Sequence, residues 1–211
     1  MSAEAFIAAH TAIARAPLVP EVALHLATEI TPIWRASEEF LARHGIEPPF
    51  WAFAWPGSQA LARDVLDGPA LAGRRVLDFA AGCGLAGIAA AMRGAAVECA
   101  EVDPMALAAC RLNAALNGVA LGTPEGDLVG SPNRWDLILA GDVCYAAPMA
   151  AHILPWLRAM AAAGAEVRLA DPGRAYLPRE GLAPLSTHRV PTSLELEDRA
   201  ERVVTIARLL P

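Results

Sequence analysis

Lysine is missing from this chain: all 17 basic residues are arginine. That excludes a P-loop lysine, a lysine Schiff base and a Tyr-x-x-x-Lys hydride-transfer site. No apolar run reaches the roughly eighteen residues of a membrane span, and the start shows no basic-then-apolar targeting pattern. No membrane partner is therefore expected, and a cytoplasmic location is the default. Cysteine is scarce, at Cys83, Cys99, Cys110 and Cys144, without a Cys-x-x-Cys pair, and the five histidines show no ligand spacing. Reduced, partly buried thiols and no metal site are the expectation. Positive charge is also short, at a net charge of −6. Phosphate contacts need clustered basic residues, so nucleic acid is a poor partner and a basic protein surface or a small molecule a better one.

What is present suits one α/β domain behind a modest extension: 211 residues, 55% of them hydrophobic. Residues 2–16, 21–30 and 32–44 read as helical pieces broken near Pro17 and at Thr31-Pro32, giving an N-terminal helical extension over 1–48. Residues 49–211 form the expected cofactor-binding domain. Ser58 is placed to cap a helix running to Leu66, with Asp67-Gly68-Pro69 ending it. From Arg75 the period changes. Strands are expected at 75–79, 97–101, 119–122, 136–141, 166–170, 187–191 and 202–208, and helices at 84–93, 104–117 and 148–163. The alternation predicts a mostly parallel sheet, and the short gap between the last two strands predicts a terminal antiparallel hairpin.

The first of those strands ends in Asp78-Phe79-Ala80-Ala81-Gly82-Cys83-Gly84. Glycines after a strand let a nucleotide approach the backbone, and a helix N-terminus offers it free N–H groups. An acid before the loop fits the acid-x-Gly-x-Gly-x-Gly pattern of S-adenosylmethionine sites, with Ala80 in place of the first glycine; dinucleotide oxidoreductases usually lack that acid. The next strand tip carries Glu101-Val102-Asp103-Pro104. Glu101 is the expected ribose carboxylate and Asp103 a helix cap, a solvated strand-end acid being the plain alternative for Glu101. Asp127, beside Leu128, lies where an adenine amino group is commonly met, although an ordinary loop aspartate reads equally well.

The fourth strand is continuous Leu and Ile and ends in Gly141-Asp142-Val143-Cys144-Tyr145, at the carboxyl edge where open sheets bind ligands. A carboxylate there can orient an attacking amine, and a tyrosine can wall an ammonium. Asp142 merely capping the following loop is the alternative. In the aromatic cluster over 50–55, Phe50 and Phe53 read as core, Trp55 as the residue touching cofactor, and Trp51 as intermediate, assigned to the substrate side.

The residues at 49–63 (PFWAFAWPGSQALAR), the loop over 78–87, the segment 112–118, Gly141 to Tyr145, and Asp171-Pro172-Gly173-Arg174 with Tyr176-Leu177-Pro178 together resemble the seven-strand protein-lysine methyltransferases. Those acting on the electron transfer flavoprotein β subunit are the most similar, over roughly residues 20 to 207. The resemblance implies a class I methyltransferase Rossmann-like fold of seven strands, S-adenosyl-L-methionine as cofactor, and a protein lysine as substrate. Asp142 and Tyr145 would be catalytic and, with Trp51, hold the substrate. Trp55, Asp78, Ala80, Gly82, Gly84, Glu101, Asp127, Leu128 and Gly141 would hold the cofactor. The rival substrates are a lysine of a ribosomal protein and a small amine such as a pyridine of the nicotinamide type. The rivals from other classes are a catalytically inactive cofactor-binding module and a nicotinamide oxidoreductase. Asp142-x-x-Tyr145 argues against the inactive module; Asp78 and the missing lysine argue against the oxidoreductase.

Overall fold

The computed structural model describes residues 2–27 and 49–211. The helix expected over 32–44 lies outside them. The core of the molecule is a six-stranded sheet in which β3 (Arg75–Phe79), β4 (Ala96–Ala100), β5 (Leu137–Gly141) and β6 (Glu166–Asp171) run parallel. The long pair β7 (Leu182–Pro191) and β8 (Glu201–Leu209) joins antiparallel, giving the order β4-β3-β5-β6-β8-β7. The terminal hairpin is thus as expected, with β7 starting five residues earlier and bulging between Pro184 and Ser186. The expected strand over 119–122 is reduced to one parallel bridge between Glu98 and Gly122. Gly122 exchanges bonds with Val97 and Cys99 at 2.8 Å each. Pro124, lacking an N–H, follows two residues on, and glycine and proline both weaken an edge strand.

Both faces are covered, which is why the central strand β5 is apolar throughout and its parallel neighbours put apolar residues on both faces. Val76, Leu137 and Leu139 turn to a face packed by α2 (Pro56–Asp67) and α3 (Leu85–Met92); Leu77, Ile138 and Val167 turn to α5 (Ala147–Ala162) through Ile153, Trp156 and Leu157. Helix α4 (Pro104–Leu116) starts on Asp103, whose side chain accepts the Met105 N–H at 2.8 Å. That cap is where the sequence puts it.

The N-terminal segment corrects the helical reading. Among its described residues only Ala3–His10 is helix (α1); β1 (Ala12–Ala16) and β2 (Val19–Leu26) follow as an antiparallel hairpin. Partners outside the segment override its helical propensity. The Asn117 amide brackets Ala23, accepting its N–H at 2.9 Å and donating to its carbonyl at 2.6 Å. Asn113, fully buried, accepts the His25 N–H at 2.7 Å and donates to the Cys83 carbonyl at 2.8 Å. Asn113 of α4 thus ties the hairpin to the glycine loop, Asn117 at the helix's C-cap holds the hairpin beside it, and Val19, Val22 and Leu24 enter the same core as α2 and α3.

Helix α2 also begins earlier than expected. Trp55 is its N-cap, Pro56 its first residue, and Trp55 gives no side-chain cap bond. The Gly57 N–H instead donates to the Asp142 carboxylate, so the tip of β5 caps the helix in place of Ser58.

Candidate functional site

The strand order reverses at β3: the chain goes outward to β4, then crosses back to β5. Ligands of open α/β sheets bind outside the carboxyl ends at such a point. A cavity of about 610 Å³ lies there, reached by the tips of β3, β4 and β5.

The glycine loop forms one wall. Ala80 and Gly82 line the cavity, both at positive φ, 54° and 55°. The space where a Cβ would stand on Gly82 is empty to 4 Å, so the backbone is bare at this point. Ala80 occupies a left-handed backbone that a glycine would adopt without strain. Gly84 and Asp78 do not face the cavity. Gly84 is the N-cap of α3, packed against Cys110. Asp78 is buried and accepts the Gly87 N–H at 2.7 Å, holding α3 from below. Burial pushes its carboxyl up to about 8, against the Gly87 bond, with nearby Glu101 adding repulsion. These two residues shape the loop and are not among the residues lining the cavity.

Glu101, at the tip of β4, lines the cavity and accepts the Gly82 N–H through Oε1 at 2.7 Å. Burial raises it to about 7. Asp127 and Leu128 lie further along the same wall. Asp127 accepts the Val129 N–H at 2.9 Å and meets His152 Nε2 at 2.6 Å. Trp55 also lines the cavity, its indole N–H donated to the Phe50 carbonyl at 2.8 Å.

The other end is built around Asp142, which is 8% exposed and sits at φ 55°. Its Oδ2 caps α2 and its Oδ1 accepts from Arg174 at 3.0 Å. Burial lifts the carboxyl to about 6, opposed by the charge and the bond of Arg174. Gly141, Tyr145 and Trp51 also line the cavity. Tyr145 is exposed at the mouth, 5.7 Å from Phe50 between ring centroids. Phe50 is therefore part of the mouth, whereas Phe53 is buried in the core with Trp51.

Sequence reasoning missed Arg174 and Glu197, and Met149, His152 and Ile153 on α5, all lining the same cavity. Arg174 follows β6, whose carboxyl end lies on the same edge, so the topology offered a signal for it. Glu197 comes from the β7–β8 connection, in the four-residue helix α6 (Leu194–Glu197), and nothing local marked it.

The arrangement joins a bare glycine loop with a strand-tip acid to a buried carboxylate under an aromatic mouth. That can hold a nucleoside at one end and orient a nitrogen nucleophile at the other. Among the described residues, no His, Cys, Asp and Glu group could hold a metal ion, and no helix is long and apolar enough to cross a membrane.

Residues 54–141 match the family model described as the methyltransferase small domain. The chain is 43% identical over 175 residues to the electron transfer flavoprotein beta subunit lysine methyltransferase of Xenopus laevis, covering 81% of this chain and 70% of that protein. The protein of the same name from Danio rerio is 38% identical over 190 residues, 86% of this chain and 72% of that one. Among solved structures, the magnesium protoporphyrin IX methyltransferase of Synechocystis PCC 6803, with S-adenosylmethionine bound, superposes with a TM-score of 0.51 at 22% identity. It covers 72% of this chain and 77% of that one, a likeness of fold alone.

Proposed function

The chain belongs to the family of electron transfer flavoprotein β-subunit lysine methyltransferases, and from that premise we propose that it methylates a lysine of that β subunit. It is an S-adenosylmethionine-dependent methyltransferase. The observation that carries the substrate reading is that Glu101 with the glycine loop and Asp142 with Tyr145 open onto one cavity. A methyl donor and a side-chain amine can meet there without leaving the protein.

The residues fit the cofactor on this chain's own geometry: the Cβ-free space at Gly82 admits a ligand against backbone, and Glu101 presents a carboxylate beside it. We assign Ala80, Gly82, Glu101, Asp127, Leu128, Gly141 and Trp55 to holding it, with Asp78 and Gly84 supporting the loop. When bound, the cofactor supplies a sulfonium methyl group open to attack by a neutral nitrogen. Asp142 accepts an N–H of the amine and so aims its lone pair, while Tyr145, Phe50 and Trp51 keep water from the seat. Positioning provides much of the rate. The protein partner fits a net charge of −6, which draws a lysine surrounded by basic residues. The catalytic unit comprises residues 49–211, and the N-terminal hairpin braces its glycine loop.

The test is methyl transfer from labelled S-adenosylmethionine to the purified flavoprotein β subunit, with mass spectrometry locating the label. Lysine labelling that slows at high salt is expected. Label on nicotinamide or on a ribosomal protein, with none on the flavoprotein, would transfer the case to those substrates.

A further inference from the structure

Asp142 does not stand as a bare carboxylate. Arg174 Nη2 donates to Asp142 Oδ1 at 3.0 Å and to Glu197 Oε1 at 2.5 Å. Glu197, with its side chain 1% exposed, is held on its far side by Arg202 Nε at 2.8 Å. The arginine's backbone is pinned too: Asp171 Oδ1 accepts the N–H groups of Gly173 and Arg174 at 2.7 and 2.6 Å. Arg174 Nε and Asp171 Oδ2 are buried with no hydrogen-bond partner among the described residues. Both Arg174 and Glu197 line the cavity. The titratable groups around this seat are Asp142, Cys144 and Tyr145 after β5, Asp171 at the end of β6, Arg174 and Tyr176 in the next loop, Glu197 in α6 and Arg202 on β8.

A seat meant for an ammonium would do best with an unpaired acid. Here a cation is fixed beside the acid. We infer that Arg174, anchored by Glu197, is a positioning residue that makes the Asp142 seat select the substrate lysine as its neutral amine. The inference rests on the lysine-methyltransferase reading above. The neutral amine still finds an acceptor in Asp142 and is not repelled, whereas the ammonium meets a guanidinium that Glu197 keeps from swinging away. A unit charge about 5 Å off, at an effective dielectric constant near 20, would shift the ammonium-to-amine ratio by on the order of a hundredfold if it acted alone, and Asp142 and Glu197 each cancel part of that. The step balances simply. The proton on the lysine nitrogen leaves to solvent, the lone pair forms the N–CH₃ bond, and the C–S bond breaks with its electron pair remaining on sulfur. The methylated product is a cation again, which Arg174 disfavours, so the same charge assists release.

The experiment follows kcat against pH, which reports ionisations in the bound complex, from 7 to 10, for wild type, Arg174→Gln and Arg174→Lys on the purified flavoprotein β subunit, with S-adenosylhomocysteine affinity as the control. Arg174→Gln should be about tenfold slower at pH 7.5 and within about threefold of wild type at pH 9.5, because the amine then needs a higher pH to lose its proton. Arg174→Lys keeps the charge and should keep the wild-type profile. A loss equal at every pH would make Arg174 a structural strut and overturn the inference. If Arg174→Gln does not fold, Glu197→Gln provides the same test. With one of the two carboxylates that offset Arg174 neutralised, the bound ammonium loses its proton more readily, so the kcat profile should shift to lower pH; an unshifted profile overturns the inference. A wild-type enzyme that labels no lysine would defeat the functional reading itself, and is told apart from these outcomes by the wild-type measurement alone.

Discussion

Gly57→Ala is the substitution that most directly probes how the active edge is assembled. A Cβ at Gly57 would lie 2.6 Å from the Ala170 carbonyl, 2.6 Å from Asp142 Oδ2 and 2.8 Å from the Asp142 nitrogen. None of these can move cheaply, since the Asp142 N–H is itself bonded to the Ala170 carbonyl at 3.0 Å and its carboxylate to Arg174. The helix cannot retreat either: Ala60, Leu61 and Ala62 of α2 are at most 1% exposed. Opposite, a Cβ on Gly141 would meet the Ser58 nitrogen at 2.8 Å, so the two backbones touch through paired glycines. Overpacking a tight core costs about 1–3 kcal/mol. Straining a charge-assisted hydrogen bond to a helix N-terminus adds about 1.5–3 kcal/mol. The sum is about 2.5–6 kcal/mol, a large part of the 5–15 kcal/mol typical of a folded domain. Urea unfolding should show that loss, and turnover should fall with it because the Asp142 seat is displaced. Gly73→Ala is the control: Gly73 has φ 80° and open space around its Cβ position, so only backbone strain of about 1 kcal/mol is expected. A Gly57→Ala protein as stable as wild type within about 0.5 kcal/mol would refute the claim that this contact is rigid.

The remaining predictions concern the charged groups of the cavity. Glu101→Ala should weaken S-adenosylmethionine binding about a hundredfold by calorimetry, for two charge-assisted hydrogen bonds of roughly 1.5 kcal/mol each; unchanged affinity in a folded variant excludes Glu101 from the ribose role. Asp142→Asn, chosen because asparagine tolerates the left-handed backbone at this position, should keep cofactor binding and lose about a hundredfold in turnover; near-normal turnover refutes the assignment. The ligand-free protein should lose stability as pH rises from 5.5 to 8.5. Burial raises Asp142, Glu101 and Asp78 to about 6, 7 and 8 from ordinary values of 3.8, 4.5 and 3.8, so across this window the folded state holds protons that the unfolded state has released. A urea midpoint higher at pH 8.5 than at pH 5.5 would contradict that sign.

The parallel core was legible because its signals are local. Val76 and Leu77 before a glycine loop, and Leu137 to Leu139 as an unbroken apolar run, need only a sheet covered on both faces to make sense. The hairpin over residues 12–26 was illegible for the opposite reason. Glu21-Val22-Ala23-Leu24 reads as helix by propensity, and its strand state depends on Asn113 and Asn117, about ninety residues away. Those asparagines were visible as part of a family segment, but nothing in the segment indicates which backbone they serve. The seventh strand failed on a local rule, since Gly122 and Pro124 leave too few bonded residues for more than a bridge.

The candidate site divides along the same line. Residues at strand tips, Glu101 and Asp142, could be found because the carboxyl edge of a parallel sheet is where ligands bind, whatever the ligand. Their partners could not be found in the same way. Asp142 read alone offers either a cap or an acid for an amine, and the folded chain gives its two oxygens to different tasks: Oδ2 to the N-terminus of α2, Oδ1 to the cavity beside Arg174. Asp142 is thus a cap, but of helix α2 and not of the loop after β5, with its second oxygen turned to Arg174. Glu197, the anchor of Arg174, arrives from a connection that crosses back over the sheet after β7, so its role exists only once the antiparallel pair has closed. A carboxylate's chemistry at such an edge is set by the cation beside it, and that cation is specified by topology, not by spacing.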